Sequence, residues 1–229
     1  MSTRSERAER ILDAAGELLL RLGYRRVTVE DVAEHAGIGK GTVYLHWKTR
    51  EALFLAVLQR EVVASMDELA EALRTDPRGI LLHELTRIHF RNVLRRPLLH
   101  ALYTGDPGVL GKLTKALHDH QDESHHTAFD DYLRLLAGHD LLRADLGVPE
   151  ISYTYHAILH GFLLTDSYRP GRTDLGLDHK ADLLADAVRH ALEPARQPTR
   201  KALAACAPAA VELFRAAAEQ DRARLHRAY

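Results

Sequence analysis

Apolar residues recur every three or four positions along nearly the whole chain, and no stretch shows the strict alternation of a half-buried strand. The first run, 4–22, puts Ile11, Leu12, Ala15, Leu18, Leu19 and Leu22 at helical spacing and stops at Gly23. Short helices are expected over 29–36 and 40–46, then a long one over 50–74 that stops before Asp76-Pro77. The pattern continues over 78–95, closed by Pro97. It breaks into short helical pieces over 97–113, where Gly105, Pro107 and Gly108 intervene, and resumes over 114–137. Pro149 suits a first helical turn, and 150–168 is apolar around most of its circumference. Helices over 177–192 and 199–227 follow, separated by a linker bracketed by Pro194 and Pro198, with Pro208 a place for a bend. The pattern is all-α. It divides into a three-helix unit over 1–48, a larger helical bundle over 49–193, and an extra helix over 194–229 packed on that bundle.

Composition narrows the classes. The chain has 229 residues, 46% hydrophobic and 28% charged, which is globular rather than disordered. No apolar run approaches the ~20 residues of a membrane span, and the polar N-terminus lacks a secretory h-region. Cys206 is the single cysteine, so neither an internal disulfide nor a thiolate zinc cluster can form. These features point to a cytoplasmic protein without a membrane partner. The formal charge of −1 hides an asymmetry: residues 1–50 carry 9 basic and 7 acidic side chains, 51–193 carry 15 and 22, and 194–229 carry 7 and 3. A mildly basic head on an acidic body suits an anion-binding N-terminus.

The most informative segment is 27–54, VTVEDVAEHAGIGKGTVYLHWKTREALF. Thr28 and Asp31 have N-cap spacing, and Val29, Val32 and Ala33 supply an inner face. Gly37 sits where the helix must end and turn. A helix, a short glycine turn and a second short helix make a helix-turn-helix. In the second helix Val43 and Trp47 can pack inward, leaving Lys40, Thr42, Tyr44 and His46 outward as hydrogen-bonding groups for phosphates and base edges. Lys40 and Gly41 lie at its N-terminus, and Arg50 adds a cation near the next helix start.

This segment resembles the DNA-binding region of the tetracycline-repressor (TetR) family of bacterial regulators. The resemblance rests on Thr28, Val29, Val32, Ala33, Ala36-Gly37-Ile38-Gly39, Gly41-Thr42-Val43-Tyr44, His46, Thr49-Arg50-Glu51 and Leu53. Trp47 replaces the family's usual phenylalanine, and Gly39 its common serine. The resemblance implies double-stranded DNA contacts from Thr28, Lys40, Gly41, Thr42, Tyr44, His46 and Arg50. Tyr44, Thr28 and Arg50 would meet phosphates, and Lys40, Thr42 and His46 base edges.

The resemblance further implies a homodimer on a palindromic operator, a small-molecule effector and, most often, repression. Its dimer would use 150–168 and 177–192, through Ile151, Tyr155, Leu159, Phe162, Leu184 and Val188. The helix over 50–74 would connect pocket to reader. Candidate pocket residues are Met66, His89, Phe90, Tyr103, Phe129, Tyr132, His156 and His160, around a mainly apolar ligand.

Other chemistry is weakly represented. His118, Asp122 and His125 share a helical face with metal-ligand spacing, but the ordinary reading is a solvated polar face, so no metal or other cofactor is expected. No glycine-rich phosphate loop or Gly-x-Ser-x-Gly elbow is present, and Cys206 has no adjacent histidine, so the chain does not read as an enzyme. The apolar stripe and arginines of 194–229 suit either a packed helix or a basic arm, with packing favoured. The competing reading of the whole is a dimeric helical binding protein without operator recognition. The outward set Lys40, Thr42, Tyr44 and His46 separates the two.

Overall fold

The computed structural model describes residues 4–114, 123–168 and 175–227. These are all-α, with ten α-helices and no strand among the described residues. The helices are α1 (Arg4–Leu22), α2 (Val29–His35), α3 (Lys40–His46), α4 (Arg50–Thr75), α5 (Leu82–Arg95), α6 (Pro97–Thr104), α7 (Glu123–Gly138), α8 (Val148–Tyr168), α9 (Leu177–Leu192) and α10 (Arg200–Arg227). Among the described residues no helix is long and apolar enough to cross a membrane.

The helix expected over 78–95 is two elements. Pro77 opens a 3₁₀ turn, Pro77–Ile80, capped by the Asp76 carboxylate on the Arg78 N–H at 2.9 Å. Leu81 is extended (φ −65°, ψ 137°) and α5 begins after it. Proline fixes φ for a first turn but cannot hold the chain helical through Leu81. Pro97 does not merely close a helix; it starts α6, which Gly105 ends at φ 62°. Helix α10 is continuous through Pro208. Residues 115–122 of the expected helix over 114–137 lie outside the described residues.

The chain divides into two compact units: residues 1–64, 96–121 and 219–229, and residues 65–95 and 122–218. The first gathers one core from α1, α2, α3, the start of α4, α6 and the end of α10. Ile11, Leu12, Ala15, Leu18 and Leu19 are buried there as their spacing predicts, whereas Leu22 is 36% exposed because Gly23 turns the chain away. Leu225 joins this core, so the last turns of α10 pack with the N-terminal helices.

The second unit is built on α5 and α9, which pack closely, with α7 and α8 alongside. Ile80, Leu82, Phe90, Val93, Tyr132, Leu184, Ala185 and Val188 are almost fully buried. The Tyr132 hydroxyl donates to the Ile80 carbonyl at 2.6 Å, so this buried phenol is satisfied.

One ionic network is buried in this second unit. Glu193 accepts the His83 backbone N–H at 2.9 Å and lies 2.7 Å from its ring Nδ1; Glu84 is 3.3 Å from His83 Nε2 and pairs with Arg87. Burial opposes the charged ring, but the hydrogen bonds to Glu193 and Glu84 together outweigh it and raise the His83 pKa to about 9. His83 and Arg87 lower that of Glu84 to about 2, although its burial works the other way. The His83 contribution is therefore fully present below its ordinary 6.5 and lost as pH climbs through about 9. That of Glu84 is lost only as pH falls from 4.5 through about 2. His83→Ala, which leaves the Glu193 carboxylate buried without its cation, is expected to cost about 3–5 kcal/mol in urea unfolding and to remove the wild-type loss of stability between pH 6.5 and 9.

Candidate nucleic-acid interface

Helix α2 begins on a reciprocal cap. The Asp31 N–H donates to Thr28 Oγ1 at 3.1 Å, and the Thr28 N–H donates to Asp31 Oδ2 at 2.8 Å. The Thr28 hydroxyl also donates to that carboxylate at 2.7 Å. These bonds with Thr28 hold the Asp31 carboxyl below its ordinary pKa. The hydroxyl's one proton is therefore spent on the cap, which leaves Thr28 no side-chain donor for a phosphate. In this arrangement Thr28 sets the helix start.

Helix α2 ends on a residue that must be left-handed. Gly37 has φ +66°, and beyond it the Ile38 N–H returns to the Ala33 carbonyl at 2.9 Å, the pattern of a glycine-terminated helix. The turn delivers the chain to Gly39, an extended N-cap without a side-chain bond, where α3 starts. Residues Val43 and Trp47 are buried to 1% and fix α3 to the core. The indole that replaces the family's phenylalanine fits inside.

The outward face of α3 carries Lys40, Gly41 and Tyr44, with Thr42 half-buried beside them. The Lys40 ammonium pairs with Glu30 and sits 5.8 Å from the Tyr44 ring centroid. Nothing lies within 4 Å of where a Gly41 side chain would be, so the backbone there is open to close approach. Arg50 is half-buried, its guanidinium 4.0 Å over the Tyr24 ring, with Nε and Nη2 buried and lacking a hydrogen-bond partner among the described residues.

His46 departs from the expected pattern. It is 6% exposed, tilted against Trp47 at 5.4 Å between ring centroids, so it faces inward and cannot reach a base edge as placed. It lies three residues after Val43, on the same buried side of the helix. Burial first, and the nearby Arg4 and Arg7 charges second, lower its pKa. Two groups that the sequence reasoning missed emerge from the same geometry. Leu45 is 68% exposed on the outer face, and Arg4 and Arg7 of α1 lie close enough to act on His46 electrostatically. The signal for Leu45 was its adjacency to Tyr44 on a seven-residue helix whose buried positions are Val43 and His46.

The expected dimer residues are turned inward. Ile151, Tyr155 and Leu159 of α8 and Leu184 and Val188 of α9 are 4% exposed or less, and Phe162 is half-buried against Phe90. Their apolar face is consumed by the chain's own core, which leaves the opposite side of the helix uncovered. That side of α8 carries Tyr153 at 79% exposure, Ala157, Gly161 and Tyr168 at 78%; Leu183 of α9 is 41% exposed.

Of the expected pocket residues, Phe129, Tyr132, His156 and His160 come together. Phe129 lies 6.1 Å from Tyr132 and 5.3 Å from His156, and His156 is 6.1 Å from His160, between ring centroids. His89 is fully buried; burial, with a smaller push from His156, lowers its pKa to about 4. Tyr103 belongs to the first unit and the other seven residues to the second. None of the eight lines the cleft of about 540 Å³ near the start of α5. The metal-like cluster over 118–126 is outside the described residues or has side chains outside them, and no other group of three potential ligands gathers among those described.

The sequence profile described as bacterial regulatory proteins, tetR family, matches residues 11–57. The HTH-type transcriptional activator FasR of Mycolicibacterium smegmatis is 38% identical over 72 residues, 31% of this chain and 33% of that protein. The HTH-type transcriptional regulator QacR of Staphylococcus aureus is 38% identical over 53 residues, 23% of this chain and 28% of that protein. The chain thus aligns with about a third or less of these relatives' length. The fold is similar over far more: a SmeT–triclosan complex covers 84% of this chain and 95% of its own, with TM-score 0.65 and 23% identity. NalD, the secondary repressor of a multidrug efflux pump in Pseudomonas aeruginosa, covers 84% and 98% at TM-score 0.61 and 20% identity. The matched family consists of regulators, not enzymes.

Thr28→Ala, which removes both side-chain bonds of the α2 cap, is expected to lower unfolding stability by about 1 kcal/mol in chemical denaturation. A loss below about 0.3 kcal/mol would show that the cap contributes little to holding α2.

Proposed function

We propose that this tetR-family chain, whose membership is carried by residues 11–57, is a homodimeric transcriptional regulator that occupies a palindromic operator and is released from it by a small molecule. One observation carries the DNA reading. Within the matched segment, Val43 and Trp47 anchor α3 while Lys40, Gly41 and Tyr44 face outward with Thr42 at their edge. Lys40, Tyr44 and Arg50 supply phosphate contacts, and Thr42 the base-edge hydrogen bond. Leu45 supplies apolar contact of the kind a thymine methyl offers. Arg4 and Arg7 extend the cationic rim.

The dimer follows from the faces left over. Tyr153, Ala157, Gly161, Leu164 and Tyr168 recur every three or four residues along α8, a single stripe whose small central residues allow a second helix to approach closely. With Leu183 of α9 they form the patch a second copy would cover. Two readers related by a twofold axis then meet half-sites about 34–36 Å apart. The aromatic group Phe129, Tyr155 and His156, with Phe90 and Phe162, is the wall against which an apolar effector would lie. SmeT, of the same fold, has been solved with triclosan, which supports an effector of that character.

Selection from random duplex DNA with the full chain at near-physiological salt is expected to enrich a palindrome. On that site Tyr44→Ala and Lys40→Ala should each weaken binding by about tenfold or more with no change in unfolding midpoint, and affinity should fall steeply with salt. Undiminished affinity in both variants would remove the assignment of α3 as the reader. For the assembly, sedimentation should give a dimer for the wild type and a folded monomer for Ala157→Arg. A dimer that persists would place the interface elsewhere.

A further inference from the structure

Several arginines of the second unit pair with carboxylates. Arg87 pairs with Glu84 and with Asp182 at 2.9 Å, Arg91 with Asp178 at 2.8 Å, Arg134 with Asp131 at 2.5 Å and Arg143 with Asp145 at 2.5 Å. Four arginines without such a pair share one place; Arg95, also unpaired among the described residues, lies outside it. Arg78, Arg189, Arg196 and Arg200 all line the cleft of about 540 Å³ formed by the 3₁₀ turn, the start of α5, the end of α9, the 194–198 linker and the start of α10. Among the described residues none of their guanidinium groups has a hydrogen-bonding or ion-pair partner, and all four are exposed.

Two carboxylates beside this cleft are already engaged, and Asp186 of α9 does not line it. Asp76 caps the 3₁₀ turn, and Glu193 is held by the backbone and ring of His83. The buried Glu193 charge is balanced by the His83 imidazolium, so it does not offset the four arginines. They therefore form a local excess of positive charge where the acidic segment 51–193 meets the basic segment 194–229. Behind them the wall is apolar: Leu81 and Leu141 line the same cleft at 5% and 3% exposure.

We infer that this cleft binds a small molecule carrying a phosphate group, with an apolar portion against Leu81 and Leu141. A carboxylate occupies one guanidinium fork, whereas a phosphate dianion presents three oxygens that several forks can share. The volume falls within the range of small-molecule sites. The inference stands apart from the DNA reading, since neither the α3 face nor a duplex takes part in it.

The test is calorimetric titration of the full chain, without DNA, with ethyl phosphate and octyl phosphate, which share a head group and differ in apolar length, and with octanol as the uncharged control. Octyl phosphate is expected to bind about tenfold or more tightly than ethyl phosphate, and octanol not at all. Arg189→Gln/Arg196→Gln should weaken octyl phosphate about tenfold or more, while Arg134→Gln, outside the cleft, leaves it unchanged. Because the two substituted arginines have no partners in the fold, the double variant should keep its circular dichroism and unfolding midpoint. If it does not, Arg78→Gln and Arg196→Gln taken singly serve instead, each expected to lose about threefold or more. Absence of binding, equal affinity for the two phosphates, or binding undiminished in the cleft variants would overturn the inference. So would a cleft variant that loses only duplex-DNA binding, which would assign these arginines to the nucleic-acid backbone.

Discussion

The reading face exists only because a seven-residue helix is fastened at two points. An isolated helix of that length has no stability of its own in water, since nucleation costs more than two turns return. Helix α3 also starts on a glycine cap that offers no side-chain bond. What holds it is the burial of Val43 and Trp47 in the core shared with α1, α2 and α4, together with the left-handed Gly37 that sets its direction. Once those two side chains are inside, the identity of the outward residues follows from the helical period. Lys40, Gly41 and Tyr44 face out, and His46, three residues from Val43, faces in.

That period also explains which parts of the sequence were legible. The all-α pattern, the α2 cap, the glycine turn and the short second helix could all be read because each depends on residues within one turn of one another. The Thr28–Asp31 box is local chemistry, and it formed as its spacing required. Its consequence for Thr28 was not legible, because whether a hydroxyl caps or reaches outward depends on where its single proton goes. His46 was misjudged for a similar reason: polarity was read as exposure, while burial was decided by the side of the helix on which Val43 and Trp47 already lay.

Longer-range features were the least visible. Helix α8 is apolar on more than one side, and sequence could tell that two faces needed cover without telling which was which. Packing within the second unit resolves it. Ile151, Tyr155 and Leu159 meet the chain's own helices, leaving Tyr153, Ala157, Gly161 and Tyr168 uncovered. Likewise the last turns of α10 supply Leu225 to the core of the first unit, a contact between the two ends of the chain that no local pattern encodes. The break at Leu81 is the intermediate case. Pro77 was visible, but the extended residue that separates the 3₁₀ turn from α5 follows from the geometry of that turn.

Charge adds a final constraint on where function can sit. In the second unit Arg74, Arg87, Arg91, Arg134 and Arg143 lie within 3 Å of a carboxylate, so their side chains are already oriented by intramolecular partners. Such exposed pairs add little stability, but they neutralise the surface and leave few cations to attract an outside anion. Buried charge follows the stricter rule: His83 and Glu193 are kept together because separating them inside the protein would cost far more than leaving both in water. Against this background the cleft stands out because four arginines that lack partners gather in it. The same contrast holds in the first unit, where Arg60 is tied to Glu9 and Asp13 while Arg50 lies over an aromatic ring with buried N–H groups unmatched. Arg50 and the cleft arginines both stand beside an aromatic or apolar surface, and there an external oxyanion can supply what the fold does not.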